Sequence, residues 1–121
     1  MAEHLRLRGL DLVRRGADHR RRAALRPTHL IERAERAAFA IAAAVDGDEV
    51  PAADLPRWQM DEAMAGRDCR AALDRLLDLH GPSGFGAGNP LQRFWRDVAV
   101  GSRHPHLNPY LAVERYGSAL V

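Results

Sequence analysis

The chain has 121 residues, enough for one domain with a real core. A hydrophobic fraction of 46% and a charged fraction of 28% exclude an intrinsically disordered polymer. Eighteen basic residues, all Arg, stand against sixteen acidic ones, and the resulting net charge of +2 is too mild and too interleaved for a nucleic-acid-binding surface.

The apolar spacing predicts four or five helices, and no segment alternates with a period of two. A first helix is expected from about Glu3 to Arg15, with Leu5, Leu10 and Val13 among its apolar positions and Gly16 as its stop. The following DHRRRAALR reads either as the start of another helix or as a charged connection. Its three successive arginines point in different directions on a helix, as on a solvated face.

A second helix is expected after Pro27 and Thr28, ending near Asp46. Ile31, Ala34, Ala38, Ile41 and Val45 recur at alternating steps of three and four, which puts one apolar stripe on one face. DGDEVPAADLP is then a turn-rich loop. A third helix begins with Asp54 as N-cap and Pro56 in its first turn, and runs to about Leu79. Ala65, Cys69, Ala72, Leu76 and Leu79 form its seam, widened by Leu73 and Leu77.

HGPSGFGAG is a glycine-rich loop that follows a helix instead of a strand. It therefore lacks the setting of a dinucleotide fingerprint, and it has no Lys-Ser/Thr end of a P-loop. Asn89-Pro90 has the chemistry of a helix start, with Leu91, Phe94, Trp95 and Val98 on the inner face. Asn108-Pro109 repeats the device for a last helix that is expected to stop at Gly117. Long amphipathic helices with short connections make the expected fold all-α, an antiparallel four-helix bundle spanning residues 1–121 as a single domain.

One cysteine, Cys69, cannot form an internal disulfide and reads as a small core filler, in keeping with a reducing compartment. No leader pattern and no run of about 20 apolar residues is present, so the expected location is the cytoplasm, away from a membrane. His104 and His106, with His80, have the residue types of a zinc site, but Pro105 between them and the absence of a nearby spare carboxylate argue against a metal. Arg96 and Asp97, about 100° apart on a helix, are expected to reach different neighbours as an inter-helix polar clamp.

LHGPSGFGAGNPLQRFWRD followed by SRHPHLNPYLAVERYG resembles the C-terminal helical domain of the acyl-CoA dehydrogenase superfamily. It is most similar to the branch of flavin-dependent monooxygenases that work with a separate flavin reductase, a branch that includes phenol-type hydroxylases and amino-sugar N-oxygenases of actinomycete natural-product pathways. The match is dense from about Leu76 to Gly117.

The resemblance implies cofactor binding by the glycine-rich turn at Gly81, Gly84 and Phe85 and by Trp95, and a catalytic His104 that helps protonate or orient a flavin hydroperoxide. It implies structural or substrate support from Arg96, Asp97, Asn108 and Tyr110. Dehydrogenases of the superfamily commonly carry a catalytic Glu where this chain has Pro105, which disfavours proton abstraction next to a thioester. Asp78 stands close to where they carry a flavin-contacting Gln.

Members with this domain are several times longer, with a helical domain and a β-barrel domain before it, and the β-domain supplies much of the flavin pocket. The implied role is thus a subunit that uses FAD or FMN only when a partner completes the site, and no cofactor by itself. The implied assembly is a homo-oligomer, or a hetero-oligomer with a flavin-binding protein, acting on a small molecule. Two other readings stay open: a stand-alone biosynthetic enzyme doing cofactor-free acid/base or cyclisation chemistry, and a non-catalytic dimerising scaffold.

Overall fold

A computed structural model describes residues 2–47 and 50–121, with the backbone alone for 2–18, Arg20 and Ala24. Among the described residues there are four α-helices: α1 Ala2–Val45, α2 Leu55–His80, α3 Pro90–Gly101 and α4 Pro109–Leu120. Single 3-10 turns at Ala52–Asp54 and Pro82–Phe85 join α1 to α2 and α2 to α3. Among the described residues there is no strand.

The largest departure from the sequence reading is α1. Neither Gly16 nor Pro27 interrupts it, and the first two expected helices are one helix of 44 residues. An interior Gly costs only about 1 kcal/mol. An interior Pro costs about 3 kcal/mol through a lost hydrogen bond and a ring clash. Burial offsets that cost, because the Pro27 ring is among the largest fully buried side chains. The apolar positions Leu5, Leu10 and Val13 lie outside the described side chains.

α1 and α2 run antiparallel. Arg22 and Arg26 share a cleft with Arg75, Asp78 and Leu79, while Ile41 and Val45 share one with Glu62 and Ala65. Between these ends, Arg33 of α1 meets Asp68 of α2 through Nε to Oδ2 and Nη2 to Oδ1, both at 2.6 Å. α3 returns along another side of α2, so that Trp95 lies against Asp74 and Ser102 packs over Gly66. α4 also leans on α2, and α1, α3 and α4 make their principal helix contacts with α2 instead of with one another.

The core is small-residue packing: Ala34, Ala63, Ala72, Ala112 and Leu77 are buried. Alanines bring helix backbones close but cover little, so most of the expected stripe on α1 stays open, with Ile41 half-buried and Ala38 exposed. Ala34 is buried, whereas Ile31 and Val45 stay 43% and 55% exposed along an apolar groove of about 750 Å³.

Local boundaries differ in three places. Asp54 holds the N-cap position without a capping bond, because its backbone is already helical, and it faces Arg57 at 3.6 Å. On α3, Phe94 is 58% exposed instead of inward. α4 passes through Gly117 and ends at Leu120, a further case of a tolerated helical glycine.

Candidate functional site

The glycine-rich segment forms one rigid corner. The Gly81 amide closes α2 onto the Leu77 carbonyl at 2.8 Å, and Gly81 itself has φ +79°, a left-handed conformation that glycine takes without strain. Gly84 is buried: a Cβ there would lie 2.8 Å from Leu77 Cδ2. Its role is therefore close packing, and the contact surface of the turn falls to its neighbours.

Asn89 ties the corner together. Its Oδ1 accepts from the Leu91 amide at 3.0 Å, the expected N-cap of α3. Its Nδ2 donates to the Ser83 carbonyl at 3.3 Å and to His80 Nε2 at 3.4 Å. His80 Nδ1 in turn sits 3.1 Å from Ser83 Oγ, so the tautomer protonated at Nδ1 satisfies both ring nitrogens. This corner role of His80 has no signature in spacing, and a sequence reading sees only a possible ligand.

With α3 started there, Trp95 meets Phe85 edge to face, 5.5 Å between centroids at 78°, and its Nε1 donates to Asp74 Oδ1 at 2.9 Å. Phe85 is exposed and Trp95 half-buried. The result is an aromatic and glycine wall with its polar atom pinned behind it. A flat ring system can lie on such a wall, which covers it from one side.

His104 lies beyond the other end of α3, separated from Trp95 by roughly 10 Å of helical rise. Turn hydrogen bonds from the His104 amide to the Gly101 carbonyl, 3.1 Å, and from the Leu107 amide to the His104 carbonyl, 2.8 Å, fix its backbone. His104 Nδ1 accepts from the His106 amide at 3.3 Å, and the two rings stack at 5.3 Å and 12°. That bond places the neutral ring's proton on Nε2, on an exposed side chain able to hand it on. His80 takes no part in this pair, and the described residues contain no group of three His, Cys, Asp or Glu that could hold a metal.

The remaining candidates separate. Asn108 caps α4 by accepting from the Tyr110 amide at 3.0 Å. Tyr110 is 85% exposed. Arg96 and Asp97 both face solvent on α3, and Asp97 lies 3.9 Å from Arg93 of its own helix. Among the described residues no hydrogen bond or ion pair joins either of them to another helix, and an inter-helix ion pair forms between Arg33 and Asp68 instead. Asp68 carries no signal in hydrophobic periodicity, because a buried acid interrupts an apolar seam.

A family model described as "Acyl-CoA dehydrogenase, C-terminal domain" matches residues 16–109. The oxygenase subunit HsaA, a flavin-dependent monooxygenase of Rhodococcus jostii (strain RHA1), is 35% identical over 74 residues, which cover 61% of this chain and 19% of that protein. Its namesake in Mycobacterium tuberculosis is 32% identical over 72 residues, covering 60% of this chain and 18% of that protein. XiaF from Streptomyces sp., solved in complex with FADH2 and glycerol, superposes with a TM-score of 0.72 and 36% identity, covering 84% of this chain and 27% of that one. The chain thus spans about a fifth of the length of the curated relatives it matches.

Proposed function

Because the chain belongs to the family of acyl-CoA dehydrogenase C-terminal domains, we propose that it serves as the C-terminal helical part of a flavin-dependent monooxygenase. In this reading residues 1–121 form one bundle, and a further polypeptide segment, joined or separate, completes the flavin pocket. The observation that carries the reading is the Phe85–Trp95 wall, exposed on one side and braced by Asp74. Its residues fit one face of a flavin: Gly81 has no atom within 4 Å of an added Cβ and leaves the approach open, while Gly84 shapes the turn from within.

The need for completion has its own support. The apolar groove between α1 and α2 is contiguous apolar surface of the kind that marks interfaces. A bound reduced flavin would supply the electrons for oxygen activation. On this chain's side, Phe85 and Trp95 would exclude water from one face of the ring, and His104 would hold or move a proton at Nε2. The substrate is a small molecule, not a nucleic acid, and the cytoplasm is the proposed setting. Among the described residues no helix is long and apolar enough to cross a membrane.

Titration of the purified chain with FAD and FMN, read by the flavin's own fluorescence, tests the reading. Weak binding that Trp95→Ala removes is expected. Tight binding by the chain alone would overturn the need for a completing segment. In the completed assembly, His104→Ala should lower product formation while flavin stays bound; an unchanged rate removes His104 from the chemistry.

A further inference from the structure

At the end of α3 away from the aromatic wall lies a polar pocket of about 610 Å³ that the flavin reading does not use. Arg67 and Arg70 reach it from successive turns of α2, Arg103 from the turn after α3, and Asn108 and Tyr110 from the start of α4. Among the described residues no Asp or Glu lines it. The chain places carboxylates beside Arg33, Arg57 and Arg93. Among the described residues, by contrast, Arg67, Arg70 and Arg103 have no carboxylate within ion-pair distance, and Arg103 donates only to the Ala99 carbonyl.

Three like charges around one concavity repel one another and focus a positive field into it. Each guanidinium presents a planar fork that matches two oxygens of a phosphate. Tyr110 adds a hydroxyl at the rim on a side chain that is 85% exposed, so little of the bundle's packing accounts for its ring being there. A carboxylate would satisfy a single fork. The three forks and the hydroxyl together suit an anion with three or four acceptor oxygens.

We propose that Arg67, Arg70, Arg103 and Tyr110 form a phosphate-binding site, taking either inorganic phosphate or the phosphate group of a small phosphomonoester. The site is independent of the flavin reading and stands if that reading fails.

Calorimetric titration of the full chain at constant ionic strength tests it, with inorganic phosphate and glycerol 3-phosphate as probes. Saturable 1:1 binding is expected, weakened at least about tenfold in the double variant R67Q/R70Q, because charge-assisted hydrogen bonds are lost. R57Q, in the first turn of α2 and outside the pocket, should bind as the parent does. Tighter binding of glycerol 3-phosphate assigns the site to an organic phosphate, and equal or tighter binding of inorganic phosphate assigns it to the free ion. Absence of saturable binding by both probes, or equal binding by R67Q/R70Q, overturns the site. Circular dichroism of the variants checks that the helices are intact, as expected for substitutions at the rim of an open pocket.

Discussion

Arg33 grips Asp68 with two parallel hydrogen bonds of 2.6 Å, yet the partners live in different surroundings: the Arg33 side chain is 53% exposed and that of Asp68 only 9%. The carboxylate holds the guanidinium above its ordinary pKa, through the hydrogen bond first and the charge second. Removing each partner should therefore have unequal effects. Arg33→Ala orphans a buried charge, whereas Asp68→Ala returns a guanidinium to water. Urea unfolding should show Arg33→Ala to be the more destabilising, with the double variant milder than Arg33→Ala alone; equal losses would contradict the asymmetry.

Gly84 and Leu77 set the spacing of the corner. A Cβ at Gly84 would sit 2.8 Å from Leu77 Cδ2, so Gly84→Ala should cost about 1–3 kcal/mol by overpacking. Leu77→Ala empties the same space, and the double variant should lose less than the sum of the single losses. Strict additivity in chemical denaturation would show that the two sites do not touch.

Both Asn-Pro pairs cap helices, but they are not equivalent. Asn108→Ala should cost about 1 kcal/mol, the usual value of an N-cap. Asn89→Ala loses its cap together with the bonds to Ser83 and His80, and should cost more. Trp95 fluorescence should shift in Asn89→Ala and stay constant in Asn108→Ala.

Burial pushes the Cys69 thiol pKa up, and the negative charge of Asp68 adds to the shift. The folded chain thus keeps this proton to higher pH than the unfolded chain does. The stability tied to it is complete below the ordinary thiol value of about 8.5 and declines as pH rises from there through the raised folded value. Alkylation by iodoacetamide should titrate at higher pH in the native protein than in urea. Coincident profiles would place Cys69 in water.

Among the described residues the buried Ser102 Oγ has no hydrogen-bond partner. Ser102→Ala removes that unsatisfied group and keeps the packing against Gly66, so it should be neutral or stabilising by about 1 kcal/mol. A loss of stability would reveal a partner for the hydroxyl.

What could be read from the residues was local chemistry. The Asn-Pro starts at Asn89 and Asn108 carry their own caps, and a stripe at three- and four-residue steps is a face whatever lies opposite it. The resemblance of the segment to a known family singled out Gly81, Gly84, Phe85 and Trp95 as a group, but that Phe85 and Trp95 meet edge to face shows only in the fold. Gly16 and Pro27 misled because a stop signal is a local cost, and the 44 residues of α1 outweigh it. Phe94 misled for the opposite reason: periodicity marks an apolar face, but among the described residues no element covers Phe94 on α3. Asp68 was missed because a buried acid becomes intelligible only when its partner, 35 positions earlier, is in view.

The arrangement of the helices around α2 has a consequence for how the molecule comes apart. In a closed ring of four helices, each neighbour is held by two seams, and deleting one opens both. Here α1, α3 and α4 each depend chiefly on a single seam, always with α2. Detaching α4 would leave the α1–α2 hairpin and the Asn89 corner standing, whereas a break in the middle of α2 would dismantle all three attachments at once. The molecule is severable at its edges and indivisible along one axis.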